Sequence, residues 1–299
     1  MEIRNLKQAE ELLIGTTQNE AIIDHINEEI GSWNLPNHDD YPDLVSKITD
    51  LFYKLYVKVS PDQNNHSKFE ALQWILFDKI HDLVVPCIKA KFFREDESFF
   101  DRCSFLCKTN VSAKEFGADD NYSIPLCAAV VELSVIDKYK SPNEKMNCLC
   151  STYDLVFAEI KTAMVSVISE KSDKEIEIPI IDNKDIMPVL MAVIFRSKLP
   201  YMLSNLFYIK FFCFKIEENR EIFDIFKAFE SAVDKLIELD IDTMEPMKGL
   251  FQRSLDLEEY IKITSNSKEE KVKKSTLIDK ANQRVLNLIT RSTSEDQLF

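Results

Sequence analysis

The chain has 299 residues, 45% of them hydrophobic, and a formal net charge of −14. This length supports one large core or two smaller ones, and the acidic excess argues against a nucleic-acid partner, whose phosphates require basic patches. Only four glycines occur, which argues against a β-sandwich, a Rossmann unit or a P-loop, because each needs glycine at tight turns. We therefore predict an all-α fold.

The sequence carries no signature of a membrane span, a metal site or a conventional active site. No apolar run reaches the roughly 18 to 20 residues that cross a bilayer, and the opening segment MEIRNLKQAEELL is charged and amphipathic, unlike a signal peptide. The seven cysteines form no CxxC pair, and there is no HExxH and no glycine-rich phosphate loop. We expect a cytoplasmic protein with reduced thiols, no metal and no cofactor.

The first third of the chain has the pattern of an amphipathic helical bundle. Apolar residues at helical spacing predict helices over residues 3–30, interrupted at TTQNE and closed by Gly31, and again over 44–59 and 68–91. Pro86 is predicted to break or kink the last of these. We assign residues 1–92 to this N-terminal bundle.

Beyond the bundle the helical pattern resumes and is interrupted by a polar loop at 109–123. A helix is predicted from about Pro125 to Tyr139. The segment SPNEK then predicts the start of a long helix, with Ser141 as N-cap, Pro142 at the first helical position and Glu144 completing a capping box.

The most apolar stretch of the chain contains two prolines, Pro188 and Pro200; its sequence is DIMPVLMAVIFRSKLPYMLSNLFYIKFF. A proline fits a helix best in its first turn, since its missing N–H would have no partner there. Pro188 and Pro200 are therefore predicted to begin two helices, and the first of these is apolar on all sides and should be buried. A further amphipathic helix is predicted from Ile222 to Ile237.

The second proline-led helix carries a polar pair, Ser204 and Asn205, with Tyr208 one turn on. Such a pair on an apolar helix either hydrogen-bonds inside the core or faces a partner. Composition alone leaves both interpretations open.

Two segments of this stretch, KDIMP at 184–188 and SNLFYI at 204–209, resemble the core of the VPS-nine domain family of Rab guanine-nucleotide exchange factors, of the Rabex and Varp type. The segment SPNEK upstream and AFESAVDKLIELD downstream are similar to the family's Pro-x-x-Lys turn and closing helix. The resemblance implies a VPS-nine-like layered helical domain over residues 93–240. The remaining residues, 241–299, are predicted to form a charged linker and a terminal helix.

The resemblance also implies exchange of GDP for GTP on an early-endosomal Rab GTPase in vesicle trafficking, by a cytoplasmic protein that partners recruit to endosomes. In the family, the first acidic residue of the Asp-Asp pair is a finger that reaches the nucleotide site, where it competes with the phosphates for the P-loop lysine and disfavours magnesium. Lys184 stands at this finger position. Asp185, the second residue of the pair, is therefore the candidate catalytic residue.

Further positions match family residues that bind the GTPase. When the closing helix is aligned through its Ala-Val pair, Asp224 and Lys227 stand where the family has a tyrosine and a threonine that bind the switch regions. Together with Pro188, Asn205 and Tyr208, they are the candidate Rab-binding residues.

Three interpretations follow from these matches and departures. The chain is a divergent exchange factor that uses Asp185, a Rab-binding or trafficking adaptor without exchange activity, or a plain helical scaffold in which Asn205 and Tyr208 satisfy one another in the core. A second acidic pair, Asp119 and Asp120, has the wrong spacing before Pro125 for the family motif. We predict that this pair lies on a surface loop.

Overall fold

The computed structural model describes residues 6–14, 20–31, 41–61, 65–109, 111–169, 183–214 and 216–240. Within these ranges every regular element is helical, which confirms the predicted all-α class. The α-helices are α1 (Leu6–Ile14), α2 (Glu20–Gly31), α3 (Tyr41–Val59), α4 (His66–Lys91), α5 (Phe93–Lys108), α6 (Cys127–Ser134), α7 (Pro142–Ser169), α8 (Asn183–Ser197), α9 (Met202–Phe212) and α10 (Arg220–Glu238). Short 3₁₀ turns occupy Ala113–Phe116, Asp120–Tyr122, Ile136–Lys138 and Ile216–Glu218.

The predicted start of α7 is confirmed. The Ser141 backbone nitrogen donates to Glu144 Oε2 at 3.0 Å, and Ser141 Oγ accepts from the Asn143 nitrogen at 3.2 Å. These two bonds satisfy backbone donors that the first helical turn leaves without intrahelical partners.

The prolines behave differently from the prediction. α8 begins at Asn183, so Pro188 lies inside this helix and does not start it. α4 also runs as one element through Pro86, so the predicted break does not occur, and the alternative of a kink stays a prediction. A proline inside a helix forfeits one backbone hydrogen bond, and tertiary packing outweighs this loss here, since Pro188 is buried. A helix does begin near Pro200, as predicted, but Pro200 lies two residues before Met202, the first residue of α9, and is not in its first turn.

The helix predicted from about Pro125 to Tyr139 is shorter than expected. α6 ends at Ser134, and a separate 3₁₀ turn follows it. The linker and terminal helix predicted within 241–299 lie outside the described residues.

Among the described residues, two hydrophobic clusters form the core, and α9 contributes to both. One cluster is built from α1 to α4, and the other from α5 to α10 and their connections. α9 places Leu206 and Ile209 in the second cluster, while Tyr208 and Phe212 lie in the first. A helix between two cores is apolar around its whole circumference, which explains the composition of this stretch.

The predicted boundary at residue 92 falls between α4 and α5, and the assignment of two domains remains a prediction. No single helix in the described ranges is long and apolar enough to cross a membrane. α8 and α9 meet the criteria only as a pair, and that pair is bent by 117°.

Candidate functional site

The start of α8 holds the two positions that match the family's acidic pair. Lys184 and Asp185 both lie in its first turn. The Asp185 side chain is only 7% exposed, and its Oδ1 accepts a hydrogen bond from the Asp119 backbone nitrogen at 3.4 Å. The carboxylate of Asp185 is thus directed at the loop that precedes α6.

α10 packs along α8 and presents the two other family-matched positions to solvent. The Asp224 side chain is 67% exposed, with its Oδ2 3.8 Å from Arg220 Nε. Lys227 Nζ lies 2.6 Å from Glu230 Oε2 and 5.4 Å from the centroid of the Phe223 ring. Burial would raise the pKa of Glu230, but hydrogen bonds from Lys227 and from a second lysine on α9 hold it below its ordinary value.

Asn205 is buried, with 3% of its surface exposed. Its Nδ2 donates to Asp137 Oδ1 at 3.0 Å and to the Tyr201 carbonyl at 2.8 Å. Its Oδ1 accepts from Lys145 Nζ at 2.9 Å. The polar pair on α9 therefore hydrogen-bonds inside the core, which is one of the two alternatives the sequence left open.

Lys145 carries a charge in the centre of this network. It is 2% exposed, and its Nζ also donates to the Ile136 carbonyl at 2.8 Å. Burial lowers the pKa of Lys145 to about 8, although the nearby Asp137 carboxylate opposes that shift. Lys89 Nζ of α4 lies 3.7 Å from Asp137 Oδ1 and 3.7 Å from the Tyr201 ring centroid, so the network reaches from the VPS-nine-like part into the bundle.

Ser204, the other polar residue of the pair, has a carboxylate as its partner. Ser204 Oγ donates to Asp96 Oδ2 at 2.5 Å, and the Leu203 nitrogen donates to Asp96 Oδ1 at 2.8 Å. Asp96 of α5 thereby caps the first turn of α9.

Tyr208 is a core residue and is not a partner of Asn205. It is 1% exposed, and its hydroxyl donates to the Lys140 carbonyl at 3.0 Å. Its ring packs edge-on against Phe77 of α4, with 5.8 Å between centroids. Burial raises the pKa of Tyr208 well above its ordinary value. The pairing of Asn205 with Tyr208 that the scaffold interpretation assumed is therefore wrong, although both side chains are satisfied internally.

Among the residues that the structure describes, sequence reasoning missed three buried charged residues and one half-buried residue: Asp96, Lys145 and Glu159 are buried, and Arg196 is half-buried. Glu159 of α7 accepts backbone hydrogen bonds from Ala128 and Ala129 at 3.0 Å each, and so caps α6. A charged residue on the apolar face of a helix is the sequence pattern that could have identified such residues. Glu159, for example, follows the buried Val156 by three positions and so lies on the same face of α7.

Arg196, at the end of α8, fixes the loop between α5 and α6. Its Nη1 donates to the Pro125 carbonyl at 3.2 Å and its Nη2 to the Val111 carbonyl at 3.3 Å. The acidic pair predicted on a surface loop does lie there, since Asp119 and Asp120 are both exposed. This loop is held at both ends of α8, by Arg196 and by Asp185.

The family model of the vacuolar sorting protein 9 (VPS9) domain matches residues 126–241. The helices α8 and α10, which pack together, both lie within this match. Both KDIMP and SNLFYI lie within the matched residues, which confirms the resemblance, and the VPS9 domain is a class of domain with Rab guanine-nucleotide exchange-type function. The helix α5, which precedes the match, belongs to the same hydrophobic cluster.

Proposed function

We propose that this protein acts on an early-endosomal Rab GTPase in vesicle trafficking and accelerates release of its GDP. The VPS9 match supports a function of this class. The observation that carries the proposal is the face formed by α8 and α10, where Asp224 and Lys227 are exposed at the positions that bind the switch regions in the family.

On this face, the exposed side chains would contact the GTPase and the buried candidates would position them. Ile222 and Phe223 of α10 are half-buried and add apolar surface beside Asp224 and Lys227. Apolar anchors surrounded by charged residues are typical of protein interfaces. Asn205 and Tyr208 would act indirectly, by fixing α9 against α4 and α7.

The direct test is the rate of release of a fluorescent GDP analogue from a panel of purified endosomal Rab proteins. We expect the full chain to accelerate release from at least one of them. Pull-down of nucleotide-free Rab in parallel measures docking separately. Release at the intrinsic rate from every Rab of the panel would contradict the proposed exchange activity.

A second candidate function is docking of the same Rab without exchange. The burial of Asp185 favours it, because a carboxylate that is 7% exposed and bonded to Asp119 does not extend toward a partner, and Lys184 at the finger position has the opposite charge. Binding of nucleotide-free Rab without accelerated release would establish this adaptor role. We further propose that the protein is cytoplasmic and reaches endosomes through its partners.

A further inference from the structure

The second half of α3 and the solvent-facing side of α9 meet in an exposed group of apolar side chains. Tyr53 and Val57, one turn apart on α3, are 43% and 46% exposed, and Phe211 of α9 is 38% exposed. Phe214, two residues beyond α9, contacts α3: its ring centroid lies 4.5 Å from that of Phe52 and 5.9 Å from that of Tyr53. The exposed apolar surface of the two helices is therefore continuous.

A lysine adjoins each of these exposed apolar side chains in the sequence. Lys54 and Lys58 of α3 and Lys210 of α9 are all exposed. The charged residues of the segment 51–59 are both lysines, and the one charged residue in the sequence of α9 is also a lysine. Positive charge is thus concentrated here on a chain with a net charge of −14. We name this set of side chains the α3–α9 patch: Tyr53, Lys54, Val57, Lys58, Lys210 and Phe211.

The carboxylates of Asp50 and Glu230 border the α3–α9 patch and offset only part of its positive charge. Asp50 is exposed and lies one turn before Lys54 on α3. Glu230 Oε1 lies 2.9 Å from Lys210 Nζ, and its Oε2 lies 2.6 Å from Lys227 Nζ. Glu230 is therefore shared between two lysines, so the patch keeps an excess of positive charge.

The composition of the patch favours a lipid surface over a protein partner. Lysine is depleted at protein–protein interfaces. On helices that lie on anionic bilayers, in contrast, lysines are typical beside aromatic and aliphatic side chains. The apolar groups enter the headgroup region, and each lysine keeps its ammonium group in water and among the negative headgroups. α3 has this pattern on its outer side, while Phe52 and Leu55 on its inner side lie in the core.

We propose that the α3–α9 patch binds the surface of a bilayer that contains anionic lipids. The lysines attract the headgroups, and Tyr53, Val57 and Phe211 supply the apolar contact. Such a peripheral contact adds to recruitment by partner proteins and orients the molecule on the membrane. It does not depend on the proposed exchange function, because no GTPase takes part in it.

Co-sedimentation of the full chain with lipid vesicles, in the absence of any Rab, tests this proposal. We expect the protein to sediment with vesicles of equal parts phosphatidylserine and phosphatidylcholine, and to stay in the supernatant with phosphatidylcholine alone. The double variant Lys54→Gln with Lys58→Gln should bind the anionic vesicles roughly 30-fold more weakly, because each lysine near an anionic surface strengthens binding about fivefold.

The matched control removes two exposed lysines from other helices, Lys108 of α5 and Lys235 of α10. The double variant Lys108→Gln with Lys235→Gln has the same net charge as the first one and should bind the anionic vesicles like the wild-type protein. Glutamine is as good a helix former as lysine, so all three proteins should have the same melting temperature. That measurement excludes unfolding as the cause of lost binding.

Three results would overturn the proposal. The first is wild-type protein that stays in the supernatant with both kinds of vesicle. The second is an equal loss of binding in the two double variants, which would indicate a general effect of net charge. The third is absence of vesicle binding together with slowed amide exchange in α3 when nucleotide-free Rab is added, which would assign the patch to a protein partner. GDP release from a Rab in solution, without vesicles, should be the same for wild-type protein and for Lys54→Gln with Lys58→Gln, so the exchange function is tested separately.

Discussion

Lys145 is the residue on which the polar interior of this domain depends. Its ammonium has two acceptors, Asn205 Oδ1 and the Ile136 carbonyl, and Asp137 lies nearby as the counter-charge. A buried charge is tolerated only when hydrogen bonds and a counter-charge replace the water it has lost. Asn205 supplies one such bond and also donates to Asp137, so it links the two charges.

Replacing Asn205 by Leu should lower the free energy of unfolding by about 3 kcal/mol, because the buried Lys145 ammonium then loses an acceptor. Urea unfolding monitored by circular dichroism measures this change. The double variant Lys145→Met with Asn205→Leu should recover part of the loss, since an apolar pair removes the buried charge altogether. A double variant as unstable as the sum of the two single variants would contradict this network.

The pKa of Lys145 predicts a specific pH dependence of stability. Burial lowers it from its ordinary 10.5 to about 8. Below about 8 the lysine is protonated in both the folded and the unfolded chain. Between about 8 and 10.5 the unfolded chain binds more protons than the folded one, so the contribution of Lys145 to the free energy of unfolding rises with pH.

The comparison of wild-type protein with Lys145→Met isolates this contribution. Thiols with raised pKa values, about 12 for Cys103, Cys148 and Cys213, act in the opposite direction at high pH but are common to both proteins. The wild-type minus variant difference in the free energy of unfolding should therefore increase between about pH 7 and about pH 10. A difference that is constant or falls over this range would show that Lys145 is not desolvated.

At the scale of elements, carboxylates from neighbouring helices cap helices that lack a capping side chain of their own. α9 begins after Tyr201, which gives no side-chain cap, and α6 begins after Leu126 in a left-handed conformation. Asp96 and Glu159 satisfy the first backbone donors of these two helices. Each cap therefore fixes the position of one helix against another, in addition to stabilising a helix end.

Asp96→Ala should lower the free energy of unfolding by about 2 kcal/mol, because the α9 terminus and Ser204 both lose their acceptor in a buried site. Thermal or urea unfolding of the variant gives the value. Asp101→Ala, an exposed position on the same helix, is the matched control and should change stability by less than about 0.5 kcal/mol. If the two substitutions lowered the free energy of unfolding equally, the capping role of Asp96 would be contradicted.

The elements that the sequence predicted best depend on local signals. The capping box of Ser141 and Glu144 and the closing Gly31 involve residues a few positions apart, and both are found where expected. The prediction placed Pro188 in the first turn of its helix, because a proline is tolerated best there. α8 instead begins five residues earlier, at Asn183, and tertiary packing stabilises this longer helix. That packing depends on contacts that no local pattern contains.

The exposure of the candidate residues could not be predicted from the sequence. The family motif matches residues that the structure places in the first turn of α8 and on α10, and their role as a site stays a prediction. Asp185 is buried, and its carboxylate accepts a hydrogen bond from the Asp119 backbone, which is 66 residues away in the chain. The roles of Asn205 and Tyr208 likewise depend on Lys145 and Lys140, residues 60 and 68 positions distant. Sequence periodicity predicts that a side chain is buried, but it does not predict which residues that side chain contacts.

At the scale of the whole molecule, the N-terminal bundle covers part of the VPS9 domain. Tyr208 and Phe212 of α9 lie in the hydrophobic cluster of α1 to α4, and Gln73 of α4 donates to the Phe212 carbonyl at 3.1 Å. The VPS9 part therefore exposes these two rings when the bundle is removed.

A fragment of residues 93–240 should be markedly less stable than the full chain. Exposing a large aromatic side chain costs about 1.5 to 3 kcal/mol, and the rings of Tyr208 and Phe212 would both lose their contacts with the bundle. We expect a lower melting temperature and concentration-dependent aggregation, measured by circular dichroism and light scattering. A monomeric fragment with the same melting temperature as the full chain would show that the bundle and the VPS9 part fold independently. That result would agree with the predicted domain boundary at residue 92.

We expect a Rab GTPase to bind the face built by the start of α8 and the outer side of α10. Amide hydrogen exchange of the full chain, with and without nucleotide-free Rab, reports where the partner binds. We predict slowed exchange in peptides that contain the first turn of α8 and the segment of α10 around Asp224 and Lys227. Slowed exchange confined to α3 and α4 would contradict this expectation and place the partner on the N-terminal bundle.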